Sequence, residues 1–245
     1  MIGNDKLVQA ARNTVRYCNM GRTRYAPMWD LQKSLHTLIA DNRSPDIFLI
    51  NEHDHVYTLG KSGDPNHLLA DAQELKNSGA EFYPIDRGGD ITYHGPGQIV
   101  GYPILNLERF KKDIHWYLRQ LEEVIIRTLN YFDISGKRSG GETGVWIGEE
   151  KIAALGIKVS RWVTMHGFAF NIHPDLSYFE RIIPCGIFHK GVTSMTEVLK
   201  EDISLDRVIP VLVREFESVF NVTLLPTEAA EIESLAVPHS VGQTV

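Results

Sequence analysis

The chain has 245 residues, of which 43% are hydrophobic, with two cysteines and a formal net charge of -6. This length can bury a sizeable core, and the lack of a dominant basic block argues against a nucleic-acid partner. Two cysteines exclude a disulfide framework, no apolar run approaches the roughly 20 residues of a membrane span, and the N terminus lacks a secretory pattern. We therefore expect a cytoplasmic protein in a reducing compartment, with no membrane partner.

The N-terminal third predicts strands and short helices in alternation. Residues 14–20 are typical of a strand, and Pro27 suits the first turn of a helix. That helix is expected to bury one face, because apolar residues recur at spacings of three and four: Met28, Leu31, Leu35 and Leu38. Further strands are predicted at 46–52, Val56–Leu59 and 81–85, with a short helix at 70–78 that ends at Gly79.

Two histidines, His53 and His55, lie between the second and third predicted strands. Two histidines separated by one residue can ligate a metal, but Asp54 is the only other ligand type beside them. A polar loop is the alternative, and we predict no metal site.

Residues 87–107, RGGDITYHGPGQIVGYPILNL, concentrate four glycines and one proline within residues 87–97. Glycine permits positive φ and the close approach of another group to the backbone, and Gly95-Pro96-Gly97 indicates a tight connection between extended segments. The pattern predicts a glycine loop, a short strand with Thr92 and His94 on one face, a turn and a second strand. This is a wall suited to holding a ligand, although an ordinary hairpin with a loose loop would give a similar pattern.

The second half predicts a long helix at 111–132, a polar glycine-rich segment at 135–143, a hairpin of strands 145–148 and 151–159, and a strand at 163–172. The segment at 135–143 is either a mobile loop near the site or a surface connector. Two helices at 194–199 and Leu205–Phe220 follow, the second with a doubtful start or a kink at Pro210. After a strand at 222–225, residues 226–245 are expected to form a flexible tail. The whole predicts a single α+β domain over residues 1–225.

Cys185 lies in the sequence IPCGI, between a proline and a glycine. A structural cysteine more often occupies an apolar strand or helix, as Cys18 does in VRYCNM. A loop cysteine can react through its thiolate if a basic group stands beside it. The candidates for that group are Lys151, Lys158, His94, His166 and His189, and the alternative is an incidental loop thiol.

Three blocks of the chain resemble the octanoyltransferases of lipoate biosynthesis, the lipoyl(octanoyl) transferase family. The blocks are RGGDITYHGPGQIVGYPILNL, GVWIGEEKIAALGIKVSRWVTMHGFAFNI and IIPCGI, in the family's order, with VYTLG at residues 56–60 in addition. The resemblance covers roughly residues 50–200. It implies the α+β fold of the biotin and lipoate ligases, a class II aminoacyl-tRNA synthetase-like mixed sheet with flanking helices, and an enzyme without a cofactor.

The resemblance also implies roles for particular residues. Cys185 matches the family's acyl-accepting nucleophile and Lys151 its acid/base partner, while Lys158 belongs to a variable part of the block. The segments that match the acyl pocket are Arg87, Gly88, Gly89, Asp90, Ile91, Thr92, Tyr93 and His94, then Ala154, Leu155 and Gly156, then Gly167, Phe168 and Ala169. Their glycines are expected to leave room for an eight-carbon chain.

The implied reaction takes an octanoyl group from octanoyl-acyl carrier protein through a Cys185 thioester to a lysine of a lipoyl domain, in 2-oxoacid dehydrogenase E2 subunits or the glycine cleavage H protein. The absence of a GxxxxGK[ST] loop fits a reaction without ATP. Because carrier proteins are acidic, Arg12, Arg16, Arg22 and Arg24 could form a docking patch, or they could be solvated surface charges.

Three other classes of protein fit parts of the sequence. An ATP-dependent lipoate or biotin ligase would share the fold and need no cysteine. A cysteine amidase or protease would pair Cys185 with a histidine such as His166 or His189 and a carboxylate, and no local signature supports it. A non-enzymatic lipid-binding or carrier-protein adaptor is the third.

Overall fold

The computed structural model describes residues 13–183 and 191–236. Ten strands lie in these ranges: β1 Asn13–Thr23, β2 Ile47–His53, β3 Val56–Leu59, β4 Glu81–Pro84, β5 Ile91–His94, β6 Gln98–Ile104, β7 Val145–Ile147, β8 Glu150–Ser160, β9 Val163–Asn171 and β10 Val222–Pro226. The α-helices are α1 Tyr25–Ala40, α2 Ala72–Asn77, α3 Ile114–Tyr131, α4 Met195–Leu199, α5 Leu205–Phe220 and α6 Ala229–Ala236.

The strands form two sheets. Seven of them make a large mixed sheet in the order β10-β1-β2-β6-β9-β8-β7, in which β1 is parallel to β10 and β2 and the other pairs are antiparallel. The remaining three make a small sheet in the order β4-β3-β5. Mixed sheets with flanking helices confirm the predicted α+β class.

The two faces of the large sheet are covered differently. Successive residues of a strand point to opposite faces, so Phe48 joins the core cluster under α3 and α5 while Leu49 joins the cluster under α1. Phe48 stacks on Phe216 of α5 with ring centroids 4.1 Å apart. The cluster under α1 includes Ile104 and Val163 and extends to Val100 and Ala169 on the same face of the large sheet.

The predicted helices form, with differences at their ends. Met28 and Leu35 of α1 are buried as expected, whereas the apolar Ile114 at the start of α3 is 41% exposed. Helix α5 begins at Leu205 and continues through Pro210, so the doubt about its start is resolved. The lost bond is the one from position 210 to the Asp206 carbonyl, within the first turns of the helix. No helix in the described ranges is long and apolar enough to span a bilayer.

The C-terminal segment corrects the expected flexible tail. Residues 226–236 include the end of β10 and the whole of α6, and Ile232 is fully buried in the cluster formed by α1 and β2. Burial of an apolar side chain of this size favours the ordered helix by about 1.5–3 kcal/mol. The folded part therefore reaches at least Ala236, and residues 237–245 lie outside the described residues.

Candidate active site

A cavity of about 500 Å³ lies between the large sheet and the β5 side of the small sheet. All eight residues predicted from Arg87 to His94 line it, together with Ala154, Leu155, Gly156, Gly167, Phe168, Ala169 and Lys151. The lining residues that the sequence interpretation did not single out include Tyr25, Gln98, Val100, Tyr102, Asn171, Phe179 and Val192. Gly141, Glu142 and Thr143 also line the cavity, so the polar segment 135–143 lies near it, as one of the two alternatives predicted.

The segment from Arg87 to Gly97, which we call the glycine wall, passes from the small sheet to the large sheet. β5 pairs with β3, whereas β6 pairs with β2 and β9, so these two strands do not form the ordinary hairpin that was the alternative. Gly97 adopts φ +87° in the turn between them, and its N–H donates to Glu52 Oε1 at 2.6 Å. A Cβ on Gly97 would lie 2.6 Å from the His173 carbonyl oxygen, so both space and φ require glycine there.

The Gly88–Gly89 loop is held by backbone hydrogen bonds on two sides. Lys61 N–H donates to the Arg87 carbonyl at 2.9 Å, and Gly88 N–H donates to the Ile157 carbonyl of β8 at 2.9 Å. Asp90 Oδ2 lies 2.5 Å from His67 Nδ1. These contacts fix the loop between the small sheet and β8, which makes the wall a rigid part of the cavity.

Arg87 is only 6% exposed, and its guanidinium reaches the small sheet. Its Nη2 donates to the Thr58 carbonyl at 2.7 Å and to Thr58 Oγ1 at 3.0 Å. A Cβ on Gly156 would lie 2.9 Å from Arg87 Cδ. The Arg87 side chain therefore crosses the large sheet at Gly156 and ends on β3.

Two glycines of the predicted acyl pocket, Gly156 and Gly167, are required for a reason other than the one expected. The space beside Gly156 is filled by Arg87, and a Cβ on Gly167 would lie 2.1 Å from the Gly101 carbonyl oxygen. These glycines permit close approach of protein groups and do not supply the room for an acyl chain. The missed signal was Gly101, a second glycine on the neighbouring strand.

Small apolar side chains supply that room instead. Val100 of β6 is the register partner of Ala169 of β9, which is the partner of Ala154 of β8. Directly opposed residues on neighbouring strands point to the same face, so these three form one apolar row across the floor of the cavity. Gln98 and Asn171, also register partners, form the polar row next to it.

The structure distinguishes the two lysines of β8. Lys158 Nζ lies 2.6 Å from Asp86 Oδ2. Lys151 Nζ lies 4.7 Å from the centroid of the Trp146 ring, and within residues 13–183 and 191–236 no carboxylate forms an ion pair with it. Lys151 lines the cavity and Lys158 does not. An amine in the cavity without a fixed counterion can act on a ligand.

Cys185 lies outside the described residues, as does His189. The chain is anchored on both sides of the segment that contains them. Ile183 N–H donates to the His67 carbonyl at 2.9 Å, and Lys151 N–H donates to the Gly191 carbonyl at 2.9 Å. Phe179 and Val192, which flank these anchors, line the cavity. Cys18 is buried in the core cluster under α1, and burial, with Glu228 and Glu233, raises the pKa of its thiol to about 11.

The histidines near the cavity are held neutral by burial. Burial lowers the pKa of His94 well below its usual value, helped by His53 and Arg87, and its ring stacks on Tyr25 at 7° and 6.2 Å. Burial also lowers the pKa of His166 although Asp86 accepts from its Nε2 at 2.9 Å. Both are therefore walls or hydrogen-bonding groups at neutral pH.

His53 and His55 belong to separate contacts. His53 Nε2 is 2.7 Å from the Tyr102 hydroxyl, and His55 Nδ1 is 2.7 Å from the Tyr93 hydroxyl. In the described part of the chain, no group of three or more His, Cys, Asp or Glu residues could hold a metal ion.

The proposed basic patch is not seen in the residues described. Arg16, Arg22 and Arg24 form ion pairs with Glu231, Asp54 and Glu81 respectively. Arg12 lies outside the described residues. Each of the three arginines is thus compensated locally, which leaves no excess positive charge among them for an acidic partner.

Comparison with known proteins gives the family. Residues 24–217 match the model of the lipoyl protein ligase A/B catalytic domain. An octanoyltransferase of Flavobacterium psychrophilum is 49% identical over 229 residues, covering 86% of this chain and 99% of that protein.

Two solved structures share the fold. Lipoate-protein ligase A bound with ATP superposes with a TM-score of 0.73 at 18% identity, over 91% of this chain and 92% of that one. Biotin protein ligase from Aquifex aeolicus with biotin and ATP gives a TM-score of 0.51 at 13% identity, over 85% and 70%. The predicted class II synthetase-like fold is thereby confirmed. The chain belongs to the lipoyl protein ligase A/B catalytic-domain family and, with octanoyltransferases as its relatives, is an acyltransferase.

Proposed function

We propose that the protein transfers an octanoyl group from octanoyl-acyl carrier protein to a lysine of a lipoyl domain, the first step of protein lipoylation. The observation that carries the proposal is the cavity, which is lined both by the apolar row of Val100, Ala169 and Ala154 and by Lys151. Its acceptors are lipoyl domains of 2-oxoacid dehydrogenase E2 subunits and the glycine cleavage H protein. The octanoyltransferases that share 49% of its sequence support the choice of acyl group.

In the first half-reaction the Cys185 thiolate attacks the thioester carbonyl of the donor. The new carbon–sulfur bond forms as the bond to the phosphopantetheine sulfur breaks, and that sulfur leaves as a thiolate that takes up the proton lost by Cys185. One thioester replaces another, so the step is nearly isoenergetic and requires no ATP. The anchor at Gly191 supports this role, because it ties one side of the segment with Cys185 to Lys151, and Phe179 and Val192, before and after the segment, line the cavity.

In the second half-reaction the neutral amine of the acceptor lysine attacks the Cys185 thioester. A carbon–nitrogen bond forms, the carbon–sulfur bond breaks, and the amine proton passes to the departing thiolate by way of Lys151. An amide is more stable than a thioester, so this step runs downhill.

Lys151 serves both half-reactions. As an ammonium it stabilises the Cys185 thiolate, and as an amine it accepts the proton of the incoming lysine, a contribution of roughly 10²–10⁴-fold in rate. The acyl chain runs along β9 and crosses the apolar row, where each buried methylene contributes about 0.8 kcal/mol. This selects eight carbons over much shorter chains.

An assay for transfer without ATP tests the function. Purified protein is incubated with octanoyl-acyl carrier protein and a lipoyl domain, and the mass of the lipoyl domain is followed. We expect an octanoyl addition on its lysine with wild-type protein and none with Cys185→Ser. Addition that requires ATP and persists in Cys185→Ser would assign the chain to the ligases instead.

A further inference from the structure

Asp86 precedes the glycine wall and does not itself line the cavity. Its carboxylate bridges two neighbouring strands of the large sheet. Oδ1 accepts from His166 Nε2 of β9 at 2.9 Å, and Oδ2 accepts from Lys158 Nζ of β8 at 2.6 Å. The hydrogen bond from His166, followed by that from Lys158, holds the pKa of Asp86 below its usual value. The Asp86 carboxylate is therefore ionised at neutral pH.

His166 is unusually well fixed for this contact. It is a non-glycine residue with φ +60°, and its backbone N–H donates to the buried Gln32 Oε1 of α1 at 3.0 Å. Residues with a side chain seldom adopt this conformation without compensating contacts. The bonds to Gln32 and Asp86 provide them, and they aim the imidazole at Asp86.

The bridge sets the position of the next two residues. Gly88 N–H donates to the Ile157 carbonyl, and Ile157 is the register partner of His166. Arg87, between Asp86 and Gly88, crosses the large sheet at Gly156 and ends on Thr58 of the small sheet. Arg87 therefore contacts both walls of the cavity, and it directly follows the residue that the bridge holds.

This crossing lies away from Lys151, toward the side of the cavity that Ile157 and His166 also line. Along β9, Asn171 is next to the Lys151 end and Gly167, the register partner of Gly156, is at the other. Four residues of antiparallel strand extend about 14 Å. After a contact distance of roughly 4 Å at the closed end, about 10 Å remain. An extended eight-carbon chain has seven carbon–carbon bonds of about 1.5 Å in a zigzag and spans about 9 Å from end to end, which fits within this space.

We propose that Asp86 is a positioning residue for acyl-chain length: it holds Arg87 across the far end of the cavity and so closes it behind the eighth carbon. The inference rests on the proposed function for which end of the chain reacts. It assigns to Asp86 no contact with the substrate.

The test compares octanoyl and dodecanoyl thioesters as donors for Asp86→Ala and wild type. Asp86→Ala removes the anchor next to Arg87 and so loosens its position, and we expect the ratio of kcat/KM for dodecanoyl over octanoyl to rise at least about tenfold, the discrimination of a single methylene in an apolar pocket. The change is expected mainly in KM, because the reacting end is untouched. A ratio within about twofold of wild type, in folded protein, would overturn the proposal.

Matched variants separate positioning from general stability. Asp86→Asn retains an acceptor for His166 but loses the one for Lys158, so it should shift the ratio less than Asp86→Ala does. Asp46→Ala removes another buried carboxylate, bound to Asn106 N–H and Arg109 at the far side of the sheet. It should lower the melting temperature and leave the ratio unchanged, and an equal shift with this variant would contradict a specific role for Asp86. If Asp86→Ala does not fold, Lys158→Met removes one partner and should give a smaller shift in the same direction.

Calorimetric binding of octanoate and dodecanoate to the same variants distinguishes this inference from the function on which it rests. If no variant transfers an acyl group but Asp86→Ala still gains affinity for dodecanoate relative to octanoate, the proposed function is wrong and the role of Asp86 in limiting chain length is supported. If transfer occurs and neither the kcat/KM ratio nor the affinity ratio changes, the proposed function is supported and the role of Asp86 is wrong.

Discussion

Lys151 and Lys158 lie seven positions apart on the same strand, and their surroundings give them different tasks. Lys158 is bound to Asp86 and supports the wall, whereas Lys151 projects into the cavity beside Trp146. Among the described residues no carboxylate forms an ion pair with Lys151, so its amine is placed to contact a ligand in the cavity.

Replacement of Lys151 should therefore distinguish its charge from its ability to exchange a proton. Arginine keeps the positive charge but does not deprotonate in proteins. We expect Lys151→Ala to lower turnover by roughly 10²–10⁴-fold, and Lys151→Arg to restore acylation of Cys185 without restoring transfer to the acceptor. Single-turnover kinetics of the two half-reactions measure this, and equal recovery of both by arginine would show that charge alone is needed.

Which residues line the cavity was predictable where the motif itself specified them, and contacts between distant segments were not. Every pocket residue inferred from the resemblance lines the cavity. Of the two lysines, the preferred one, Lys151, lines the cavity and Lys158 does not. Asp86 was missed, because its partners His166 and Lys158 are 80 and 72 positions away. The reason for Gly156 and Gly167 was also wrong, because their neighbours lie on other segments.

At the scale of elements, the turn at residues 95–97 connects β5 of the small sheet to β6 of the large sheet. Gly97→Ala places a Cβ 2.6 Å from the His173 carbonyl and imposes φ +87° on a residue with a side chain. The left-handed conformation alone costs about 1–2 kcal/mol, and the clash adds to it. We expect a loss of at least about 2 kcal/mol in the free energy of unfolding, measured by urea denaturation.

Gly148→Ala is the matched control for this prediction. Gly148, in the turn before β8, also has positive φ, +58°, but a Cβ there meets no atom within 4 Å. Its substitution should cost only the conformational term of about 1 kcal/mol. Equal losses for the two variants would mean that contact with His173 contributes nothing.

Local patterns predicted most elements but not how they assemble. Apolar spacing gave α1, α3 and α5 close to their actual bounds, because a helix buries one face along its own length. The partners of β5 and β6 could not be predicted, since strand pairing is set by contacts between distant segments. Helix α6 was missed because a short helix with one fully buried residue, Ile232, has little periodicity to detect.

For the whole molecule, buried titratable groups make stability depend on pH. Burial lowers the pKa of His53 to about 4, so between pH 6.5 and 4 the unfolded chain binds a proton that the folded protein does not. Stability is therefore full above pH 6.5 and falls as the pH approaches 4, by roughly 3 kcal/mol at about 1.4 kcal/mol per pKa unit.

Asp46 acts in the opposite direction, because burial raises its pKa to about 6 and the folded protein gains a proton there first as the pH falls. The difference between wild type and His53→Gln isolates the histidine. We expect the variant's stability relative to wild type to increase by roughly 3 kcal/mol between pH 7 and pH 4. Thermal or urea unfolding at both pH values measures it, and a difference that does not change with pH would contradict the burial argument.

The whole molecule shares its fold with a lipoate-protein ligase that binds ATP, whereas its relatives by sequence are octanoyltransferases. The fold class followed from the mixture of strands and helices, and the activity from three short blocks. The proposed reaction depends on one covalent step at Cys185. That step distinguishes a transferase from a ligase of the same fold.

The most direct test of that step is the intact mass of the protein after incubation with octanoyl-acyl carrier protein in the absence of ATP. The account predicts an added mass of one octanoyl group that hydroxylamine removes, that is absent in Cys185→Ser and that still forms in Cys18→Ser. No adduct without ATP, or an adduct that persists in Cys185→Ser, would contradict it.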